Sequence, residues 1–231
     1  MKKNTAYPRF LVLLLIIGLS LLLYPSFADR RNSSRSARAI TAYVEAVATL
    51  DQDQYDALWN AACTYNQNLP HSSGGQLSEE MNAEYDRLLN PCGTGMMGNI
   101  EIPSLKIALP VYHGTEENVL QEAIGHLEWS SLPVGGNSTH CVVSGHRGLP
   151  GARLFTDLDK LAEGDVFLLR TLGEVLTYEV DQILIVKPNQ TDSLRIEEGK
   201  DLCTLVTCTP YGINSHRLLV RGQRIANPKE S

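Results

Sequence analysis

The sequence predicts a mostly β protein: a closed, mostly antiparallel barrel with short connecting helices, preceded by helices and one membrane-spanning helix. Three observations lead to this fold class. From Asn99 onward, short runs of aliphatic and β-branched residues follow one another closely, with only brief helical patterns between them. Before that point, apolar residues recur at helical spacing. The N-terminus carries a nearly continuous apolar stretch, which is typical of a bilayer span.

Composition excludes several function classes. The chain has 231 residues and a formal net charge of −6, and its basic residues are scattered without a basic-aromatic stripe, so nucleic-acid binding is not expected. The cysteines have no CxxC spacing and no neighbouring histidine pair, so neither a zinc site nor another cofactor is predicted. Because their number is odd, at least one thiol has no partner within the chain. The five cysteines are Cys63, Cys92, Cys141, Cys203 and Cys208.

Residues 1–28 form the predicted anchor. The strictly apolar run Phe10–Leu23 continues to Ala28, which approaches the roughly 20 residues that a helical span needs. The competing interpretation is a secretory signal, because Ser26-Phe27-Ala28 resembles a small-x-small cleavage site. Both interpretations export the rest of the chain, and we expect an uncleaved anchor with the N-terminus inside.

Residues 29–97 are predicted to form a helical arm. Ser33–Asn68 has helical spacing and predicts one long amphipathic helix or a pair, with one face packed on the core. Leu69–Gln76 is a flexible loop by composition. A further helix is expected at Ser78–Leu89, with its first residue as N-cap, before a glycine-rich linker, Asn90–Gly98.

Residues 98–225 are the predicted barrel, followed by a polar tail, 226–231. Short helices are expected at Glu116–His126 and Leu154–Leu161. Short β runs between Ile100 and Val111, broken by Pro103 and Pro110, begin the barrel. The later predicted strands are Cys141–Ser144, Val166–Leu169, Leu176–Val180 with Ile183–Val186, Leu202–Thr207 and His216–Arg221.

The last two strands carry the candidate site. Cys208 closes one strand and Arg217 opens the next, so a nucleophilic thiol and a fixed cation meet at neighbouring strand ends. His146 follows a buried strand and is flanked by Gly145 and Gly148. Taken singly, each residue also has an ordinary interpretation: a buried small hydrophobe, a structural histidine or a solvated charge. His216 is a rival base, but strand alternation places it on the face opposite to Arg217.

The combination resembles a known family. The stretch Thr204–Gly222, TLVTCTPYGINSHRLLVRG, closely resembles the active-site segment of class C sortases, the pilin-polymerising transpeptidases. Val143–Gly148 is similar to the sortase histidine motif, and Gly98–Pro103 with Leu109–Gly114 is similar to the start of the barrel in that class. The resemblance covers roughly Leu77 to Arg224.

This resemblance implies an eight-stranded barrel and three catalytic roles. Cys208 would be the nucleophile, His146 its acid/base partner and Arg217 the cation that orients substrate or oxyanion, with His216 and His113 as structural or loop residues. Sortases cleave an LPxTG-like sorting signal after Thr through a thioester, and class C members transfer the acyl group to a pilin lysine. The expected location is the extracellular face of the membrane of a Gram-positive-type bacterium.

Three alternative functions use part of the same residue set. A housekeeping sortase uses the same chemistry but transfers the acyl group to the cell-wall precursor. A non-enzymatic surface module is the alternative from another class. A papain-like protease fits poorly, because it expects its cysteine on a helix and before its histidine, whereas here the order is reversed.

The sequence departs from the class in two segments, one before the barrel and one after it. Class C sortases usually carry a lid with an Asp-Pro-aromatic motif; no Asp-Pro pair occurs here, and its place reads Asn68–Gly75. We therefore expect a missing or degenerate lid and a site open to small thiol reagents. The class commonly has a second membrane helix, whereas Ala226–Ser231 is polar, so either the sequence is truncated or one anchor suffices.

Cys63 and Cys92 form a disulfide or remain two thiols.

Overall fold

The structure is a computed structural model that describes residues 6–69 and 77–227. Within these residues eight strands close into a barrel in the order β1-β2-β3-β4-β7-β8-β6-β5, as predicted. The strands are β1 Met96–Ile102, β2 Ile107–His113, β3 Ile124–His126, β4 Thr139–Ser144, β5 Val166–Thr171, β6 Glu174–Val186, β7 Asp201–Thr209 and β8 His216–Arg224. The helices are α1 Ala6–Ala48, α2 Gln52–Asn68, α3 Glu79–Tyr85 and α4 Glu117–Leu120.

Most neighbouring strands are antiparallel, but β2–β3 and β4–β7 are parallel. The β4–β7 register runs from Thr139 opposite Asp201 to Ser144 opposite Val206. A parallel pair needs a long crossover, and here it contains β5 and β6. As a consequence, the carboxyl ends of β4 and β7 lie on the same rim of the barrel.

Strand alternation separates the barrel interior from an outer apolar cluster. Cys203 and Leu205 of β7 point into the main core, which contains the stacked rings of Phe167 and Tyr178. Successive side chains of a strand point to opposite faces, so Val206, which follows Leu205, points outward. It belongs to a separate apolar cluster outside the barrel. That outer cluster consists of Val142, Leu194, Val206 and Leu219.

Helix α1 is longer than the sequence predicted, because it joins the apolar segment and the first part of the arm into one helix. Pro25 lies inside it without ending it. The apolar part is entirely unburied within the described residues, and by length and composition it is able to cross a bilayer. Further along the same helix, Asn32, Ser36 and Tyr43 are buried against the barrel.

The hydroxyl of Tyr43 fixes α1 to the barrel. It donates to Met97 O at 2.8 Å and accepts from Leu172 N at 3.0 Å. The side chain is only 2 % exposed, so both bonds are shielded from water. The arm is therefore part of the folded domain rather than a loose spacer.

The rest of the arm is a second and a third helix with clear N-caps. Asp51 and Gln54 form a capping box at α2. Ser78 caps α3 as predicted, accepting from Met81 N at 3.2 Å. α3 is shorter than expected, and Tyr85 at its end reaches into the barrel wall, where it donates to His126 Nδ1 at 3.0 Å.

Two predicted helices are wrong in part. Glu116–His126 contains only the single-turn helix α4 before the chain becomes strand β3, because Ile124 and His126 are needed to fill the sheet between β2 and β4. Leu154–Leu161 contains only a 3₁₀ turn, Leu158–Lys160. The two predicted runs of β6 form one strand with an irregularity at Asp181.

Some expectations fall outside the described residues. Of the expected lid segment, only Leu69 and its neighbours before it are described, and the degenerate lid at 70–76 lies outside, as do the last residues of the polar tail. All five cysteines, which are described, are free thiols, including Cys63 and Cys92.

Candidate active site

Cys208 and Arg217 form a directly opposed pair in the β7–β8 ladder. Residues opposite each other in an antiparallel pair share one face of the sheet. Cys208 has the same alternation as Val206, so the pair lies on the outer face, one step beyond the outer apolar cluster. Both residues are half-buried, so each keeps part of its surface open to solvent.

Arg217 is oriented by its own loop. Its Nη1 donates to Asn214 O at 3.2 Å and to His216 O at 3.1 Å. In the described part of the chain, no carboxylate lies within ion-pairing distance of this guanidinium. Its positive charge therefore remains available to an anion at the barrel rim.

His146 reaches the same rim from β4. Gly145 N donates to Val206 O at 3.0 Å, and the Thr207 hydroxyl donates to Gly145 O at 2.7 Å, so the parallel register continues past the last strand pair. That register places His146 level with Cys208. The structure thus brings the three predicted site residues to one rim, from the ends of three neighbouring strands.

An acidic neighbour of His146 was not predicted from the sequence. Glu117 of α4 places its Oε2 3.7 Å from His146 Nε2, an atom with no hydrogen-bond partner among the described residues. The Glu117 side chain is 71 % exposed, so solvent screens this contact. The only signal in the sequence was the position of Glu117 in a short helical pattern, which does not reveal its distance from the histidine.

Two glycines shape the loop after β4 for different reasons. Gly148 has a φ of +81°, and a Cβ there would lie 2.8 Å from the Tyr211 ring, which belongs to the β7–β8 loop. Gly145 is needed for space, since a Cβ would lie 2.4 Å from Ile124 Cδ1. The close approach of the two loops holds the chain after His146 against the chain after Cys208.

Arg147 makes a second link between these loops. Its side chain is 9 % exposed and forms an ion pair with Asp159 at 2.5 Å. Its Nη1 also donates to Thr209 Oγ1 at 3.2 Å, directly after Cys208. Arg147, the residue after His146, is thus hydrogen-bonded to Thr209, the residue after Cys208.

Two further cysteines and two further histidines in the described residues have side-chain environments of their own. Cys141 and Cys203 face each other across the parallel pair inside the barrel, and burial raises the pKa of the Cys203 thiol well above its usual range. The His216 ring is bonded to Ser215 Oγ at 2.9 Å, and His113 is bonded to Gly95 O at 2.9 Å. Among the described residues, no group of three or more His, Cys, Asp or Glu side chains is arranged to hold a metal ion.

The chain is similar to known sortases in sequence and in structure. The family profile described as "Sortase domain" matches residues 100–225. Sortase A of Bacillus anthracis is 26% identical over 225 residues, 97% of each chain. Among solved structures, sortase C1 of Streptococcus agalactiae is 50% identical with a TM-score of 0.80, covering 83% of this chain and 100% of that one. Sortase C of Streptococcus pneumoniae is 43% identical with a TM-score of 0.75, covering 82% and 97%.

These similarities define the class of protein as a cysteine transpeptidase. The chain belongs to the sortase family, and its structural neighbours are class C sortases. The family assignment excludes both the papain-like protease and the non-enzymatic surface module.

Proposed function

We propose that this sortase uses Cys208 as nucleophile, His146 as acid/base and Arg217 as the oxyanion-stabilising cation. The opposed pair of Cys208 and Arg217, with His146 level with it on β4, is the observation that supports these roles best. The substrate is a protein carrying an LPxTG-like sorting signal, which is cleaved after Thr.

In the first step, the sulfur attacks the carbonyl carbon of the Thr–Gly peptide. An ordinary cysteine is only a few per cent thiolate at neutral pH, so its neighbours must stabilise the anion. The guanidinium of Arg217 and a protonated His146 supply positive charge at the same rim.

Charge then moves from the sulfur to the carbonyl oxygen. The tetrahedral oxyanion needs donors placed in advance, and Arg217 is already fixed by two carbonyls of its loop. His146 gives its proton to the leaving glycine amine, which breaks the peptide bond and leaves a thioester. An acceptor amine attacks the thioester, His146 takes up its proton, and the thiol is restored.

The acceptor amine in this proposal is a pilin lysine, so repeated cycles polymerise pilins. Class C sortases among the structural neighbours, at 43–50% identity, favour this acceptor. The second candidate is attachment to the cell-wall precursor, which uses the same thioester. The observation that favours this second candidate is the 26% identity to a sortase A over nearly the whole chain.

Membrane attachment completes the proposal. Residues 1–28 serve as a single uncleaved anchor with the N-terminus inside, 29–97 as the helical arm and 98–225 as the catalytic domain on the extracellular face. The unburied apolar part of α1, continuous with the part that packs on the barrel, supports this arrangement. The enzyme is thus held where membrane-tethered precursors emerge.

A product assay separates the acceptors. The full chain in detergent is incubated with an LPxTG-type peptide and, separately, with a lysine-containing pilin peptide or a cell-wall precursor stem peptide. Mass spectrometry is expected to show an isopeptide product with the lysine peptide. A product formed only with the stem peptide would favour the housekeeping role, and a Cys208→Ala chain that still forms either product would exclude the proposed nucleophile.

A further inference from the structure

The active-site rim lies beside the end of the apolar part of α1. Phe10–Phe27, the exposed apolar stretch, spans about 27 Å at roughly 1.5 Å per residue, close to the thickness of a bilayer core. One surface cavity is lined on one side by Pro25 and Ser26 of this helix. Its other side is formed by Gly148, Pro150 and Tyr211 from the loops that follow β4 and β7.

A hydrogen bond ties the same places together. Asp29 Oδ1 accepts from Arg153 N at 2.8 Å, where Arg153 belongs to the chain after β4. Beyond this point Arg35 of α1 forms an ion pair with Glu122, and Tyr43 is bonded to the barrel wall. With contacts along several turns of one unbroken helix, the barrel holds a fixed orientation relative to the apolar segment.

The loop at this level exposes apolar side chains. In the described part of the chain, the exposed large hydrophobic residues outside the apolar stretch are Val44, Ile185, Tyr211 and Ile213. Two of these four lie within three residues of each other in the β7–β8 loop, where Tyr211 is 60 % and Ile213 is 71 % exposed. The Tyr211 ring lies close to Gly148, but within the described residues most of the surface of both side chains stays uncovered, which indicates that something outside the described chain covers it.

Lipid is the occupant that the surroundings favour. Tyrosine is enriched at membrane–water interfaces because its ring is apolar and its hydroxyl is polar. Tyr24 of α1 is also exposed, and it directly precedes Pro25, which lines the same cavity as Tyr211. Arg30 and Arg31 are exposed directly after the apolar stretch, where they suit anionic phospholipid headgroups.

We propose that the β7–β8 loop is a second membrane contact, with Tyr211 and Ile213 inserted into the headgroup region of the leaflet from which α1 emerges. This inference rests on the proposed membrane attachment. It deepens that proposal by placing the thiol of Cys208, three residues before Tyr211, at the membrane surface. Substrates whose sorting signals lie close to the bilayer then reach the sulfur without leaving the surface.

Tryptophan scanning in lipid vesicles tests the contact. The full chain is reconstituted into phosphatidylcholine–phosphatidylglycerol vesicles with or without brominated acyl chains, which quench tryptophan emission at short range. Ile213→Trp adds a reporter at the loop. Val44→Trp is the matched control, because Val44 is also apolar and 57 % exposed but lies about 28 Å further along α1 than Pro25. Emission of the unsubstituted chain, which contains Trp59 and Trp129, is subtracted.

The expected result is a loss of the added emission at position 213 in brominated vesicles and no loss at position 44. Tyr211→Trp repeats the test should Ile213→Trp fail to fold. Equal, unquenched emission at 211, 213 and 44, with the chain still vesicle-bound after an alkaline carbonate wash, would overturn the lipid contact and leave the anchor intact. That outcome would assign the exposed pair to a protein partner. Release of the unsubstituted chain by the wash would overturn the anchor and the contact together.

Discussion

Cys208 of β7 lies directly opposite Arg217 of β8, and both belong to the outer face of the barrel. The pairing depends on the register of two strands and not on a flexible loop. Because the same register runs back to Leu202 opposite Gln223, the whole hairpin fixes the relation between thiol and guanidinium. A one-residue slip would move one of them to the interior face.

The first prediction concerns Arg217. Arg217→Ala is expected to lower the rate of acyl-enzyme formation about 10²- to 10³-fold, since removal of one oxyanion donor typically has an effect of this size. Arg217→Lys keeps the charge but loses the planar pair of donors, and we expect it to recover only part of the rate. Rapid-quench mass spectrometry measures acylation, and unchanged acylation in both variants would remove Arg217 from the mechanism.

The second prediction compares two glycines with similar backbone angles. Gly148 has a φ of +81° and Gly212 a φ of +74°, but only Gly148 faces another side chain within 4 Å, the Tyr211 ring. Both alanine substitutions should cost roughly 1–2 kcal/mol through the left-handed backbone. Gly148→Ala should also push the Tyr211 loop away and slow acylation beyond the effect of Gly212→Ala. Equal acylation rates in the two variants would contradict the coupling of the two loops.

The third prediction concerns the attachment of α1. Tyr43→Phe removes a buried hydroxyl and leaves Leu172 N without the partner that it has at 3.0 Å, so the free energy of unfolding should fall by about 1–3 kcal/mol. Tyr55→Phe is the matched control, because its hydroxyl bonds to Glu174 at the surface and its loss should cost well under 1 kcal/mol. Denaturant unfolding of both full-length variants measures the difference. Equal effects would mean that α1 is not firmly bound.

The fourth prediction is a loss of stability in acid. His140 donates from Nδ1 to Arg195 O at 2.8 Å and accepts at Nε2 from the Thr204 hydroxyl at 2.7 Å, and burial lowers its pKa. The unfolded chain therefore binds a proton at a higher pH than the folded chain does. Stability should be full above about pH 6.5 and fall as the pH drops below it, toward the lowered folded-state pKa.

His140→Gln isolates this contribution. The variant should be less stable at neutral pH but should lose less stability between neutral pH and pH 5 than the unsubstituted chain. Burial lowers the pKa of His113 too, so part of the acid dependence should persist. Identical slopes of unfolding free energy against pH in the two chains would contradict the assignment.

The strands were predictable from sequence because their apolar runs are bounded by turn residues, as in Leu202–Thr207 before Pro210. Element lengths were less predictable. The sequence contains no stop signal between the apolar segment and the arm, since a helix that is unburied along one part and packed on a barrel along another has no single periodicity. Likewise, β3 looks helical locally and is a strand only because β2 and β4 flank it.

For the candidate site, the local motifs predict His146, Cys208 and Arg217, but not the residues that reach them from a distance. Glu117 near His146 and Arg147 bonded to Thr209 are tertiary contacts without a sequence pattern. The contact between Gly148 and Tyr211 likewise required both loops in place. A motif predicts which side chains lie at a strand end. The residues that contact those side chains depend on how the barrel closes.

The most direct test is to locate the acyl group. The full chain is mixed with an LPxTG-type peptide without an acceptor amine, trapped in acid and digested, and the thioester is mapped by mass spectrometry. The account predicts the acyl group on Cys208, its absence in Cys208→Ala, and its persistence in Cys92→Ala, which removes a half-buried thiol outside the site. An acyl group on another cysteine, or undiminished acylation of Cys208→Ala, would contradict it.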